Sequence, residues 1–190
     1  LTYDGQRMTP YQFADVNPID VEAVALDGDT IYIGDVGRNG SSEPIYTVYR
    51  WPSRNLIHFR FPSNAVYDVE AILVINGTVM VITKQYRSEL WTLDGFVMRN
   101  LGPLLDSDGN HIHRVTDVTR DGSTVLIRTY GSLHLFDWSK GVNLQAKRKL
   151  PVVSEQQGEA VALLGDTYWT MSEYSGQGYA FLHRYEGCLE

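Results

Sequence analysis

The chain has 190 residues, 43% of them hydrophobic and 21% charged, which is enough for one full core and argues against wholesale disorder. A formal net charge of −7 and a pI near 5.2 argue against nucleic acid as the main partner, because phosphate binding needs a basic surface. No apolar run approaches about 18 residues, so no membrane span is expected, and the lone Cys188 cannot form an internal disulfide.

Taken in chain order, the elements read as β throughout. The chain starts without Met and shows no leader pattern, so it reads as a trimmed or mature product. After a short start, "TPYQFADV" (9–16) predicts a strand. "DVEAVALDGDTIYIGD" (20–35) then places Asp20 and Glu22 at the entrance of an apolar strand, followed by a Gly/Asp turn and a strand led by Thr30. "IYTVYRW" (45–51) alternates as a third strand, and the more polar "LIHFRF" (56–61) makes a fourth.

The same order then recurs. "DVEAILVINGTVMVIT" starts at Asp68, "VTDVTRDGSTVLIRT" at Val115 and "QGEAVALLGDTYWTMS" at Gln157. An acid returns at Glu22, Glu70, Asp117 and Glu159, at intervals of 48, 47 and 42 residues. Threonine follows at Thr30, Thr78, Thr124 and Thr167, eight residues after the acid in three copies and seven in the other. Third strands recur as "ELWTLDG" (89–95), "SLHLFDW" (132–138) and "AFLHRYEG" (180–187), and "LQAKRKL" (144–150) is a further fourth strand. Four strands in each unit of about 45 residues predict an all-β propeller of four antiparallel four-stranded blades, starting near residues 20, 68, 115 and 157. The whole chain, 1–190, is then one domain. The last unit stops after its third strand, so 9–16 is expected to complete it and hide its edge. Residues 1–5 are left over, which raises the alternative of a fragment of a five-bladed propeller.

First strands of propeller blades line the central channel, so Glu22, Glu70, Asp117 and Glu159 are expected to converge on the axis, with Asp20 and Asp68 beside them. Crowded carboxylates repel. Relief can come from a hard cation such as Ca²⁺ on those four acids, from protonation, or from pairing with Lys84 and Arg128. The alternative is that each acid accepts backbone N–H bonds and caps its own blade. At the ends of the second strands, Asp35, Lys84, Arg128 and Glu173 make a mixed rim suited to a small anionic or polyhydroxylated ligand, a glycan included. An internally neutralised ring of charge is the competing reading. His111 and His113 share a strand face, but beside "DSDGN" (106–110) a polar turn is expected rather than a metal site. Asn39 and Asn76 fit the N-x-[ST] glycosylation pattern, which is common by chance. Trp51, Trp91 and Trp138 are expected to pack between blades.

The ordered set "DVEAVA…IYIGDVGRN", "DVEAILV…VITK", "VTDVTRDGSTVLIRTY" and "EQQGEAVA…SE" resembles a family of bacterial, mostly exported propellers related to the "esterase-like activity of phytase" group and to phytase-like propellers. The resemblance covers residues 1 to about 187. Where the family carries Trp and Asp around its first acids, this chain has Val21 and Ala23, and it has Arg38 where the family's loop has Asp. Haemopexin-type domains also look similar, but they close with a disulfide that a single cysteine forbids. The phytase-like resemblance implies an extracellular or periplasmic location. It also implies a metal-dependent phosphoester or ester hydrolase, in which Lys84, Arg128 and Glu173 are the candidate catalytic groups and Ca²⁺ the cofactor. A binding scaffold with an acidic channel is the leading expectation, and a protein-interaction platform is a third.

Overall fold

A computed structural model describes residues 17–38, 42–155, 157–173 and 180–189. Four antiparallel sheets follow one another along the chain and form a four-bladed β-propeller. The first blade comprises β1 (Val21–Asp27), β2 (Thr30–Asp35), β3 (Tyr46–Trp51) and β4 (Leu56–Phe59). The second comprises β5 (Val69–Ile75), β6 (Thr78–Thr83), β7 (Glu89–Asp94) and β8 (Val97–Pro103). β9 (Val115–Asp121), β10 (Thr124–Thr129), β11 (Leu133–Asp137) and β12 (Arg148–Leu150) build the third. In the fourth, β13 (Gly158–Leu164), β14 (Thr167–Ser172) and β15 (Leu182–Tyr185) are described. Strand order within each sheet is sequential. The hairpin between the first and second strands of every blade closes on a two-residue turn; in the second blade Asn76 and Gly77 both hold positive φ, at 50° and 75°, the geometry that Asn-Gly favours.

Alternation along the strands explains how the blades stack. On β5, Ile72 and Val74 pack toward the first blade, whereas Ala71 and Leu73 pack toward the third. On β10, Val125 and Ile127 face the second blade and Leu126 faces the fourth. Apolar layers therefore join blades one to two, two to three and three to four, and both faces of a central blade are buried. Trp91 and Trp138 lie inside these layers, and Phe61 meets Trp91 edge to face at 5.1 Å. Among the described residues nothing covers one apolar face of the first and of the last blade: Leu26 is 67% exposed and Leu164 71%. The expected closing strand 9–16 lies outside the described residues.

The fold places the site through one recurrent irregularity. Each innermost pair carries a β-bulge at its start. Pairing jumps from Val21 to Ala23, from Val69 to Ala71 and from Gly158 to Ala160. In the third blade, Asp117 and Val115 face Arg128 and Thr129, and Thr116 is passed over. The residues left unpaired are Glu22, Glu70, Thr116 and Glu159. A bulge re-aims its side chain out of the pleat. Here all four turn to the same end of the channel.

Candidate functional site

At that end the four bulged residues line one cavity of about 430 Å³. Its remaining wall comes from positions just beyond the second strands, Lys84, Tyr130 and Glu173, together with Gln157. The equivalent position in the first blade is Val36, fully buried. In the first, second and fourth blades the rim segment is tied to the entrance of its own inner strand: Val36 N–H donates to Asp20 O at 3.1 Å, Lys84 N–H to Asp68 O at 2.8 Å, and Glu173 N–H to Gln157 O at 2.9 Å. The repeat therefore delivers both halves of the cavity in a fixed relation.

Within it, Lys84 donates from Nζ to Glu70 Oε1, and its ammonium lies 5.0 Å from the centre of the Tyr130 ring. Gln157 Nε2 donates to Glu173 Oε2 at 3.2 Å. Glu22 packs against Gly37, where a β-carbon would stand 2.5 Å from Glu22 Cγ; only glycine fits there. Burial, the hydrogen bond that its protonated form donates to Asp20 and the charge of Glu70 push the Glu22 carboxyl up to about 8. Burial also pushes Glu70 up to about 7, against the pull of Lys84. Glu159 is raised for the same reason, burial. Lys84 is held above its ordinary range: burial pulls it down, but its bonds to Glu70 and Tyr130 outweigh that. Near neutral pH the cavity thus offers both protonated and ionised carboxyls around one ammonium.

Other expected site residues lie elsewhere. Thr116, not Asp117, holds the fourth place of the ring. Asp117 sits one residue further on and bridges two inner strands, accepting from Val118 N–H and from Val161 N–H at 2.7 Å each. Burial pushes its carboxyl up to about 7 while those N–H bonds pull it back. Asp35 is buried and caps the entrance of β1, accepting from Asp20 N–H at 2.7 Å, Ile19 N–H at 3.1 Å and Tyr49 Oη–H at 3.1 Å. Capping by acids does occur here, but through Asp35 and Asp117. Arg128 is fully buried, paired with Glu155 and roofed by Gly158, so its guanidinium stays below the cavity floor. Lys84 and Glu173 reach the cavity; Asp35 and Arg128 do not. Arg38 is committed to its own loop: Nε donates to Glu43 O at 3.0 Å, and the guanidinium lies 3.8 Å above the Tyr46 ring. Asp106 accepts from Asp108 N–H and Asn110 N–H at 2.9 Å each, the turn chemistry of "DSDGN".

The residues present do not form a calcium cage. Among the described residues no three His, Cys, Asp or Glu side chains converge as ligands, and Lys84 already places a positive charge against Glu70.

Neither the protein-family models nor the curated proteins compared with the sequence gave a match. Among solved structures the chain is similar to the computationally designed Ika4 protein, at 12% identity and a TM-score of 0.49, covering 92% of this chain and 98% of that one. It is also similar to the computationally designed Ika8 protein, at 10% identity and a TM-score of 0.45, covering 83% of this chain and 57% of that one. The four-bladed assignment rests on strand order and blade packing, not on these likenesses.

Proposed function

We propose that the propeller is a binding scaffold and that its channel mouth takes a small polyhydroxylated ligand bearing positive charge, an amino sugar being the simplest example. The observation that carries this reading is the convergence of Glu22, Glu70 and Glu159, from three different blades, in one cavity that Glu173, Gln157, Thr116 and Tyr130 complete. The carboxyls outnumber the single ammonium of Lys84, so a cation is favoured over an anion. Hydroxyls suit a wall that mixes proton donors and acceptors. The cavity lies within the usual size range of small-molecule sites, roughly 300–1,000 Å³. A phosphoester hydrolase would need Lys84 and Arg128 on one phosphoryl group, and the burial of Arg128 favours binding instead.

A cation entering this cavity stabilises ionised Glu22 and Glu70, so their protons must leave. Calorimetric titration with glucosamine at pH 7 is therefore expected to show binding with proton release, read as a dependence of the heat on the buffer's ionisation enthalpy. Glu159→Gln is expected to weaken binding about tenfold, as loss of one charge-assisted contact would. Calcium is expected to raise the melting temperature less than glucosamine does. Absence of glucosamine binding, or a larger effect of calcium, would overturn the proposal.

A further inference from the structure

Beside the mouth lies a second cavity of about 330 Å³, between the second and third blades. The two cavities are neighbours through the backbone: Thr129 lines the second and Tyr130 the first. The segment after β6 connects the first to a residue of the second. Lys84 lines the mouth, and two residues later Tyr86 accepts at its carbonyl from His113 Nδ1, whose ring lines the second cavity. Arg114 N–H donates to Gln85 O at 2.8 Å and keeps these two segments side by side.

Among the described residues Tyr86 is the most exposed large side chain with apolar character, at 78%. It is nevertheless held in place, because its ring stacks on His113 with centroids 4.4 Å apart and planes 22° from parallel. An exposed aromatic ring held against His113 of the second cavity, two residues after Lys84 of the first, is a platform for a flat, C–H-rich face. Inside the second cavity Thr129 Oγ1, Ser132 Oγ and His134 Nε2 form a chain of hydrogen bonds, 2.7 and 2.8 Å long. Burial, then the charge of Lys149, holds the His134 imidazole down at about 4, so it is neutral at physiological pH. Each member of that chain can turn to donate or accept, which is what hydroxyl groups require.

We infer that the two cavities and Tyr86 form one extended site for an oligomer of amino-sugar units, one unit in the mouth, one stacked on Tyr86 and the next toward Ser132 and His134. This rests on the reading of the mouth as an amino-sugar site. It assigns functions to Tyr86, Ser132 and His134 that the mouth alone does not use.

Glucosamine and its 1,4-linked tetramer distinguish the two levels, titrated in parallel at fixed ionic strength. The tetramer is expected to bind at least tenfold more tightly than the monomer, beyond the fourfold that four identical units give statistically. Tyr86→Ala, which alters only an exposed side chain and no charge, is expected to remove that gain and leave the monomer's Kd unchanged. Ser132→Ala is expected to lower tetramer affinity alone. If the monomer fails to bind, the mouth reading fails and the extended site falls with it. If the monomer binds and the tetramer is no tighter, or Tyr86→Ala keeps the full gain, the mouth reading survives and the extended site is overturned. A tetramer gain that persists in Tyr86→Ala but vanishes in high salt would mean charge attraction to the acidic surface and also overturn it.

Discussion

Arg128→Ala is expected to cost about 3–5 kcal/mol of folding stability, read as a fall in the urea midpoint at unchanged slope. The reason is what the substitution leaves behind. The Glu155 side chain is 5% exposed and takes its charge partner from Arg128 Nη2; its other neighbours are Thr170 Oγ1 at 3.2 Å and His183 Nε2 at 3.5 Å. Without the guanidinium, a buried carboxylate faces one hydroxyl and one imidazole. The loss falls on the junction of the third and fourth blades, where Arg128 extends the face on which Leu126 packs. Arg128 itself is not ideally satisfied, since Nε and Nη1 are buried without a hydrogen-bond partner. That imperfection sets a second expectation. The double change Arg128→Met with Glu155→Leu should recover more than half of the loss, because two apolar side chains need no partners. A cost below about 1 kcal/mol for Arg128→Ala would contradict the buried pair.

The second large effect is an unusual dependence of stability on pH. Glu22, Glu70 and Asp117 hold their protons up to about 8, 7 and 7 in the folded chain and release them near 4.5, 4.5 and 3.8 when unfolded. Across that interval the folded state binds more protons, so stability falls as pH rises and levels off once all three are ionised. Below pH 6.5 the buried His134 acts in the opposite direction. Its pKa is depressed to about 4, and acid therefore favours the unfolded chain. The clean window is pH 6.5 to 9, over which the melting temperature is expected to drop by about 10 °C. Glu22→Gln should flatten the upper half of that slope. A melting temperature that stays level or rises across the window would show that these carboxyls are not crowded.

Much of this was legible in the residues. The fourfold recurrence of an acid, a glycine turn and a Thr-led strand identified the blades, because each blade must solve the same packing problem. The placement of Lys84 and Glu173 at the mouth also followed from the repeat. The error at Asp117 had a visible sign. The acid precedes the repeat threonine by eight residues in three copies and by seven there, and counting eight back from Thr124 reaches Thr116. Tyr130 occupies the same position as Lys84 and Glu173, but it carries no charge to mark it as part of the rim. The burial of Arg128 depends on the bulge. One skipped residue decides whether a strand end points to the channel or between blades, and composition carries no trace of it. The capping by Asp35 is equally silent, since its partners Ile19 and Asp20 lie 15 or 16 residues back in the chain.

The most direct measurement is a pH titration of the glutamate side-chain carboxyls by ¹³C NMR, in the wild type and in Glu70→Gln. If bulged residues from separate blades share one cavity, the Glu22 signal titrates near 8 and moves downward when Glu70 loses its charge and frees Lys84. A Glu22 signal that titrates in the ordinary carboxylate range, unmoved by the change at residue 70, would contradict the account.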